Sequence, residues 1–385
     1  MTATIRKIVG HCGHTDTGRT ISDTHPNIVA AITDISLAPL SLIYGVGVRA
    51  RNAFYDWGLF AVHDVALPSS AWEISPPGNG QNSAGEVGGA RGGGDGAVDQ
   101  VLHSHEGDGR RSRAAERVVV SDGRRLMADA LRAGDEPRLL AEELLGVASV
   151  IADADRIAAA RWAMRNLGSQ VFILDDGFQH RRLARRLNLA VIDATNPWSN
   201  GWVLPRGRLR EPLTALKRAD CAVITRAGQS RDLAQLTARV RDYCAPSVPI
   251  IASNMEISSV RPLGANDADG AGLDSQQRVG AFCAIGNPQS FFTQLRSRGY
   301  QLAYERVFPD HAYYTQRDVD RLGEEAKRRN LSALLTTAKD AVKLGHLCHA
   351  VPCFVVNIEL EFRPPDREAL MNLIAQVVAA GQNNA

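Results

Sequence analysis

From about residue 117 onward, short apolar runs alternate with segments of helical periodicity. The alternation predicts strands at Val171–Leu174, Leu189–Ile192, Cys221–Ile224, Ile250–Ala252, Ala281–Ile285, Ala333–Thr336 and Phe354–Leu360. A mostly parallel sheet covered by helices requires such an order. Arg156–Leu167 reads as an amphipathic helix stopped by Gly168. A final helix, about Asp366 to Ala380, places Leu370, Leu373, Ile374, Val377 and Val378 on one core-facing stripe. The polar stretch Gly264–Gln277 separates two α/β regions and is the natural domain boundary.

Two segments break this pattern. Ile35–Phe60 joins an apolar run to Tyr44, Arg49, Arg51, Phe54, Tyr55 and Trp57. Such a segment either lies in a membrane interface or packs as a helix on its own domain. Its uncharged apolar run, Ile35 to Val48, is 14 residues when Asp34 and Arg49 are taken as its limits, too short to span a bilayer. Pro77–Arg110 holds eleven of the 34 glycines and, as large aliphatics, only Val87, Val98, Val101 and Leu102. That composition predicts a long flexible loop with no core element.

The 385 residues carry a formal net charge of +2, so no global basic field points to nucleic acid. Nearly all of the positive charge is arginine. The five lysines are Lys7, Lys217, Lys327, Lys339 and Lys343. The six cysteines form no C-x-x-C pair and sit mostly in apolar runs, as buried free thiols of a reduced compartment would. His11-Cys12-Gly13-His14 looks ligand-like, but no second pair accompanies it, which argues against zinc.

The chemistry concentrates after one strand. Val171-Phe172-Ile173-Leu174-Asp175-Asp176-Gly177 is a buried run ending in two carboxylates, an arrangement that phosphoryl-transfer enzymes use to hold Mg²⁺ at a sheet edge. Alone it reads equally well as two acids that cap a turn. The longer string Asp175-Asp176-Gly177-Phe178-Gln179-His180-Arg181-Arg182-Leu183 resembles the signature of the lipid A tetraacyldisaccharide 4'-kinases. Further blocks fit that family in order: Leu37–Gly45, Gly134-Asp135-Glu136-Pro137, Leu209-Arg210-Glu211-Pro212-Leu213, Ile285-Gly286-Asn287-Pro288, Phe308-Pro309-Asp310-His311 and Thr336-Thr337-Ala338-Lys339-Asp340. The resemblance covers about residues 35–66 and 115–380.

The resemblance implies an α/β fold, with a P-loop-type mostly parallel sheet flanked by helices and a second smaller α/β domain. Its parts would be an unmatched extension (1–34), a kinase core (35–255) and a C-terminal domain (256–385). The core would include a membrane-associated segment (35–60) and an aberrant glycine-rich stretch (66–115). It further implies transfer of the ATP γ-phosphoryl group to the 4'-hydroxyl of a lipid A disaccharide precursor, with Mg²⁺, at the cytoplasmic face of the bacterial inner membrane. By resemblance, Asp175 and Asp176 would hold the metal, and Gln179 and Glu211 would line the nucleotide cleft with them. Asp135 and His311 would form a dyad that accepts the hydroxyl proton. A histidine suits that role because its unperturbed pKa near 6.5 leaves it largely neutral at pH 7. Arg210 is a further cleft residue by resemblance; read without it, Arg210 and Glu211 are a surface ion pair.

The family's phosphate loop, a glycine-rich turn ending Gly-Lys-Thr, has no counterpart here, because no lysine lies between Lys7 and Lys217. Codon arithmetic offers one account. Trp72-Glu73-Ile74-Ser75-Pro76 can be encoded so that reading one base earlier gives Val-Gly-Asn-Leu-Thr, the family's strand-to-loop motif. Gly80-Gln81-Asn82-Ser83 can likewise give Gly-Lys-Thr when read one base later. Two compensating slips that rejoin near Gly109–Ala114 would then explain the composition. The alternatives are a catalytically inactive lipid- or nucleotide-binding remnant, and the unstable product of a damaged gene.

Overall fold

The computed structural model describes residues 26–64, 100–103, 116–264, 273, 274 and 276–382. The His11–His14 cluster, Cys12 and the recoded segments Trp72–Pro76 and Gly80–Ser83 lie outside them. Helix α1 (Pro26–Asp56) begins nine residues ahead of the expected segment and contains Pro39. Strands β1 (Gln100–His103) and β2 (Val118–Ser121) follow, then α2 (Ala130–Ala133), α3 (Asp135–Glu143), β3 (Ser149–Ala152), α4 (Arg156–Leu167) and β4 (Phe172–Asp175). Next come β5 (Leu189–Asp193), β6 (Cys221–Thr225), α5 (Leu233–Arg241), β7 (Ile250–Pro262) and β8 (Arg278–Cys283). The chain continues through α6 (Pro288–Ser297), β9 (Gln301–Val307), α7 (Gln316–Arg328), β10 (Ala333–Thr337), α8 (Ala338–Ala341), β11 (Cys353–Phe362) and α9 (Pro364–Gln382).

Two sheets result. A four-stranded sheet has the order β2-β3-β1-β4, and a seven-stranded sheet has the order β5-β6-β7-β11-β10-β8-β9. Among the described strands only the β2–β3 and β7–β11 pairs are antiparallel, so the α/β, mostly parallel architecture stands as the sequence implied. Strands β7 and β8, on either side of the polar stretch 264–277, belong to the same sheet. Helix α9 returns across it: Leu370 packs with Leu189 and Val191 of β5, Val223 of β6 and Ile251 of β7.

The glycine-rich stretch does contribute a core element, which corrects the expectation of an unbroken loop. Gln100–His103 pairs in parallel with β3 on one side and β4 on the other, with His103 in register with Asp175. Composition over 34 residues concealed four that hydrogen-bond along both edges, including the adjacent aliphatics Val101 and Leu102.

Helix α4 forms as the pattern predicts. Asp155 caps its first turn by accepting from the backbone N–H groups of Ile157 and Ala158, and Gly168 ends it in the left-handed conformation. Four cysteines, Cys221, Cys244, Cys283 and Cys353, are buried free thiols; Cys348 is exposed.

Candidate active site

The Gly-Asp-Glu-Pro block starts helix α3. Gly134 adopts φ 99 and ψ 157, a backbone region essentially closed to other residues. Asp135 and Glu136 then fall in the first helical turn, where the helix dipole favours negative charge. Pro137 follows within the same turn, where a missing N–H costs nothing. Through Leu140 and Ala141, α3 packs on Val118 and Val120 of β2 and Val150 and Ala152 of β3.

His311 comes from the segment between β9 and α7, at φ 57, with its backbone N–H directed to the Ala284 carbonyl just after β8. Its Nδ1 lies 3.1 Å from both carboxylate oxygens of Asp135, 176 positions away in sequence. Asp135 is 4% exposed. Burial works against its charged form. The hydrogen bond from His311 and the ammonium groups of Lys339 and Lys343 outweigh that cost and hold the carboxyl well below the usual carboxylate range.

Asp175 ends β4 with its side chain buried, and Asp176 follows at φ 49. The turn they enter is braced from behind. Arg156, 1% exposed, donates from Nη2 to the carbonyls of Asp175 at 2.6 Å and Asp176 at 3.0 Å. A Cβ on Gly177 would stand 2.9 Å from the Leu174 Cβ and 3.3 Å from the Arg156 Nη1, so only glycine lets the turn close over that guanidinium. Arg185 donates to the Gly177 carbonyl, and Arg218 lies over the Phe178 ring at 4.5 Å.

The segment 179–182 is a turn. Gln179 and His180 are half-buried in it. Arg181 faces α1, donating to the Asn52 carbonyl at 2.8 Å and the Asp56 carboxylate at 2.7 Å, with its guanidinium over Tyr55.

Arg210 and Glu211 do not pair with each other. Arg210 pairs with Asp176. Glu211 is buried and accepts from Arg51 at 3.0 Å, Asn52 at 2.7 Å and Arg218, which welds the Leu-Arg-Glu-Pro block to α1. The structure thus brings Asp135 to His311 and Asp176 to Arg210, and turns Glu211 toward the N-terminal helix.

A family model for tetraacyldisaccharide-1-P 4'-kinase matches residues 107–379. The chain belongs to this family. The match begins beyond most of the glycine-rich stretch. A tetraacyldisaccharide 4'-kinase from Anaeromyxobacter sp. (strain Fw109-5) is 38% identical over 321 residues, covering 81% of this chain and 83% of the relative. One from Syntrophus aciditrophicus (strain SB) is 32% identical and covers 90% and 93%. The crystal structure of "apo" form LpxK from Aquifex aeolicus in complex with ATP superposes with a TM-score of 0.65 at 25% identity, covering 90% of this chain and 99% of that one.

For a tetraacyldisaccharide-1-P 4'-kinase, sequence reasoning left out four polar groups at the site. Lys339 Nζ lies 2.6 Å from Glu136 Oε1, and Lys343 Nζ lies 3.3 Å from Asp135. Arg156 braces the paired acids, and Asn52 holds Glu211. A lysine in a helical turn usually reads as a solvated charge. The available signal was that Lys339 and Lys343, four residues apart, are flanked by Ala338, Ala341, Val342 and Leu344.

Proposed function

We propose that the chain transfers the γ-phosphoryl group of ATP to the 4'-hydroxyl of tetraacyldisaccharide 1-phosphate, with Asp135 and His311 as the base. The closed Asp135–His311 contact carries this reading. Nδ1–H donates to the buried carboxylate, which leaves the Nε2 lone pair for the sugar hydroxyl. As the new O–P bond forms and the bond to ADP breaks, the hydroxyl proton passes to Nε2, and Asp135 stabilises the imidazolium. Asp135 and His311 come from the two parts of the chain assigned to residues 35–255 and 256–385, so the acceptor sugar would lie between them.

Asp175 and Asp176 fit Mg²⁺. They offer hard oxygen donors at a strand end, and no cluster of three or more His, Cys, Asp or Glu able to hold a metal occurs among the described residues. Two carboxylates suit an ion that keeps waters and shares phosphate oxygens. Bound there, Mg²⁺ would neutralise charge developing on the phosphates. Asp176 and Arg210 have half-exposed side chains, and such a pair is worth little, so the carboxylate can exchange its guanidinium for the metal. Gln179 and Glu211 complete this side of the cleft in the same reading, Glu211 through its hold on α1.

Helix α1 would set the protein on the membrane that carries its substrate. Ser41, Gly45 and Val48 face the body, with Ser41 Oγ donating to the Val203 carbonyl at 2.6 Å. Leu42, Ile43, Val46, Trp57, Leu59 and Val62 are exposed, and the exposed Arg49 on the same helix would meet anionic headgroups. No helix among the described residues is long and apolar enough to cross a membrane. Peripheral contact at the cytoplasmic face of the inner membrane is the arrangement that fits an amphiphilic acceptor and ATP together.

The test is transfer of label from γ-labelled ATP to purified tetraacyldisaccharide 1-phosphate in mixed micelles, with the phosphorylated position read by phosphorus NMR. Label at the 4'-oxygen is the expected outcome. A folded protein that leaves the lipid unlabelled contradicts the reading.

A further inference from the structure

The segment Thr337–Lys343 brings two ammonium groups into the interior. Thr337 caps α8 by accepting from the Asp340 backbone N–H, and the four-residue spacing sets Lys339 and Lys343 on one side of the turn. They are 6% and 3% exposed. An ammonium persists in such surroundings only where acids enclose it. Lys343 Nζ lies 3.3 Å from Asp135 on one side and 3.3 Å from Asp340 on the other, above the Tyr314 ring. Asp340 is itself fixed, accepting from the Ala284 backbone N–H at 3.1 Å and the Thr337 hydroxyl at 2.7 Å. Lys339 Nζ lies 2.6 Å from Glu136 and 3.4 Å from His311 Nε2. Asp310 Oδ1 lies 3.9 Å from the same Nε2.

The result is a chain of groups running Asp340, Lys343, Asp135, His311, Lys339, Glu136, in which cations separate the acids. It constrains His311 from both ends. An ammonium donates and cannot accept, so the nitrogen facing Lys339 must carry the lone pair. A carboxylate accepts, so the nitrogen facing Asp135 must carry the hydrogen. Asp135 at Nδ1 and Asp310 near Nε2 each attract the imidazole hydrogen, and Lys339 at Nε2 decides for the Nδ1–H tautomer, the one that puts the lone pair on Nε2. The contact to Nε2 is long and the one to Glu136 is short, so a hydroxyl can occupy Nε2 while Lys339 keeps its hold on Glu136.

We propose that Lys339 and Lys343 are positioning residues for the transfer reaction: Lys343 fixes the Asp135 carboxylate, and Lys339 fixes the His311 tautomer and the Glu136 side chain. The inference rests on the dyad reading above. Through them the second half of the chain presets a base whose carboxylate belongs to the first half.

The experiment labels the imidazole nitrogens of the full-length protein and reads the His311 tautomer by long-range nitrogen–proton correlation at pH 8, with His311→Ala giving the assignment. The parent and Lys339→Arg should show the Nδ1–H form. Lys339→Met should move the His311 resonances toward a tautomer mixture and lower kcat by about 10-fold or more, with KM for ATP changed less than about threefold. Lys343→Met paired with Asp340→Asn keeps the buried charge balanced and should shift the same resonances if the single variant does not fold. Unchanged His311 resonances in Lys339→Met or in the paired variant overturn the proposal. The tautomer readout needs neither ATP nor lipid, so a parent that transfers no phosphate contradicts the kinase reading separately.

Discussion

Arg156, at the start of α4, holds the main chain of Asp175 at the end of β4: its Nη2 donates to the Asp175 carbonyl at 2.6 Å and reaches the Asp176 carbonyl at 3.0 Å. The buried Arg156 guanidinium is therefore spent on their backbone, while Arg210 takes the Asp176 carboxylate. Arg156→Met should remove the guanidinium donor from the Asp175 and Asp176 carbonyls and lower stability by about 2–4 kcal/mol, read from urea midpoints at unchanged m. Arg156→Lys should recover only part of this, because an ammonium can donate to the carbonyls but lacks the planar guanidinium that packs beneath Gly177.

His180 predicts an acid limit to stability. Burial, and then the charges of Arg156, Arg185 and Arg182, hold its pKa down at about 4. A histidine depressed on folding contributes stability above its unfolded value near 6.5 and loses it as pH falls from there through the folded value. The parent should lose on the order of 1–2 kcal/mol between pH 7 and pH 5, discounted for partial solvent screening, and His180→Gln should not. Urea titrations at both pH values decide it.

Asp135 acts in a lower window. Its folded pKa lies below the ordinary value near 3.8, so its contribution is present above that value and is lost as pH falls through the folded one. Lys339 runs the other way. Burial lowers its pKa, but Glu136 and Asp135 outweigh that and raise it, so its contribution holds below about 10.5 and disappears as pH rises through the folded value. Asp135→Asn should weaken the protein at pH 6 and show little further loss below pH 4, measured by thermal unfolding across pH.

The exposed face of α1 predicts a membrane effect separable from catalysis. Replacing Ile43, Val46 and Trp57 by serine removes large apolar side chains that are mostly exposed. Cosedimentation with anionic vesicles should weaken by about 100-fold. An equal bound fraction in parent and variant would remove α1 from the membrane contact.

Much of the fold was legible because its strands are apolar where helices cover them. Leu189–Ile192 and Cys221–Ile224 appear in the structure extended by one residue each. Strand β9 was not legible: Gln301–Val307 is an edge strand, half-exposed, and carries Glu305 and Arg306. Strand β1 was hidden by glycines around it. At the site, the Gly-Asp-Glu-Pro and Phe-Pro-Asp-His blocks named Asp135 and His311, but pattern alone could not say that two lysines from α8 and its following turn would enclose them. The partners of Glu211 were equally invisible, since Arg51 and Asn52 precede it by 160 and 159 positions.

The absent lysine is a question for the gene. Nucleotide sequencing across residues 66–115 should show codons that yield Gly-Lys-Thr in a shifted frame. Codons that give no phosphate loop in either alternative frame eliminate the slip.

The base assignment is tested most directly by single-turnover phosphoryl transfer from ATP to tetraacyldisaccharide 1-phosphate, with the parent and His311→Ala compared at saturating ATP and pH 8. The account predicts a rate at least about 100-fold lower in the variant, with ATP affinity unchanged. Equal rates would contradict it.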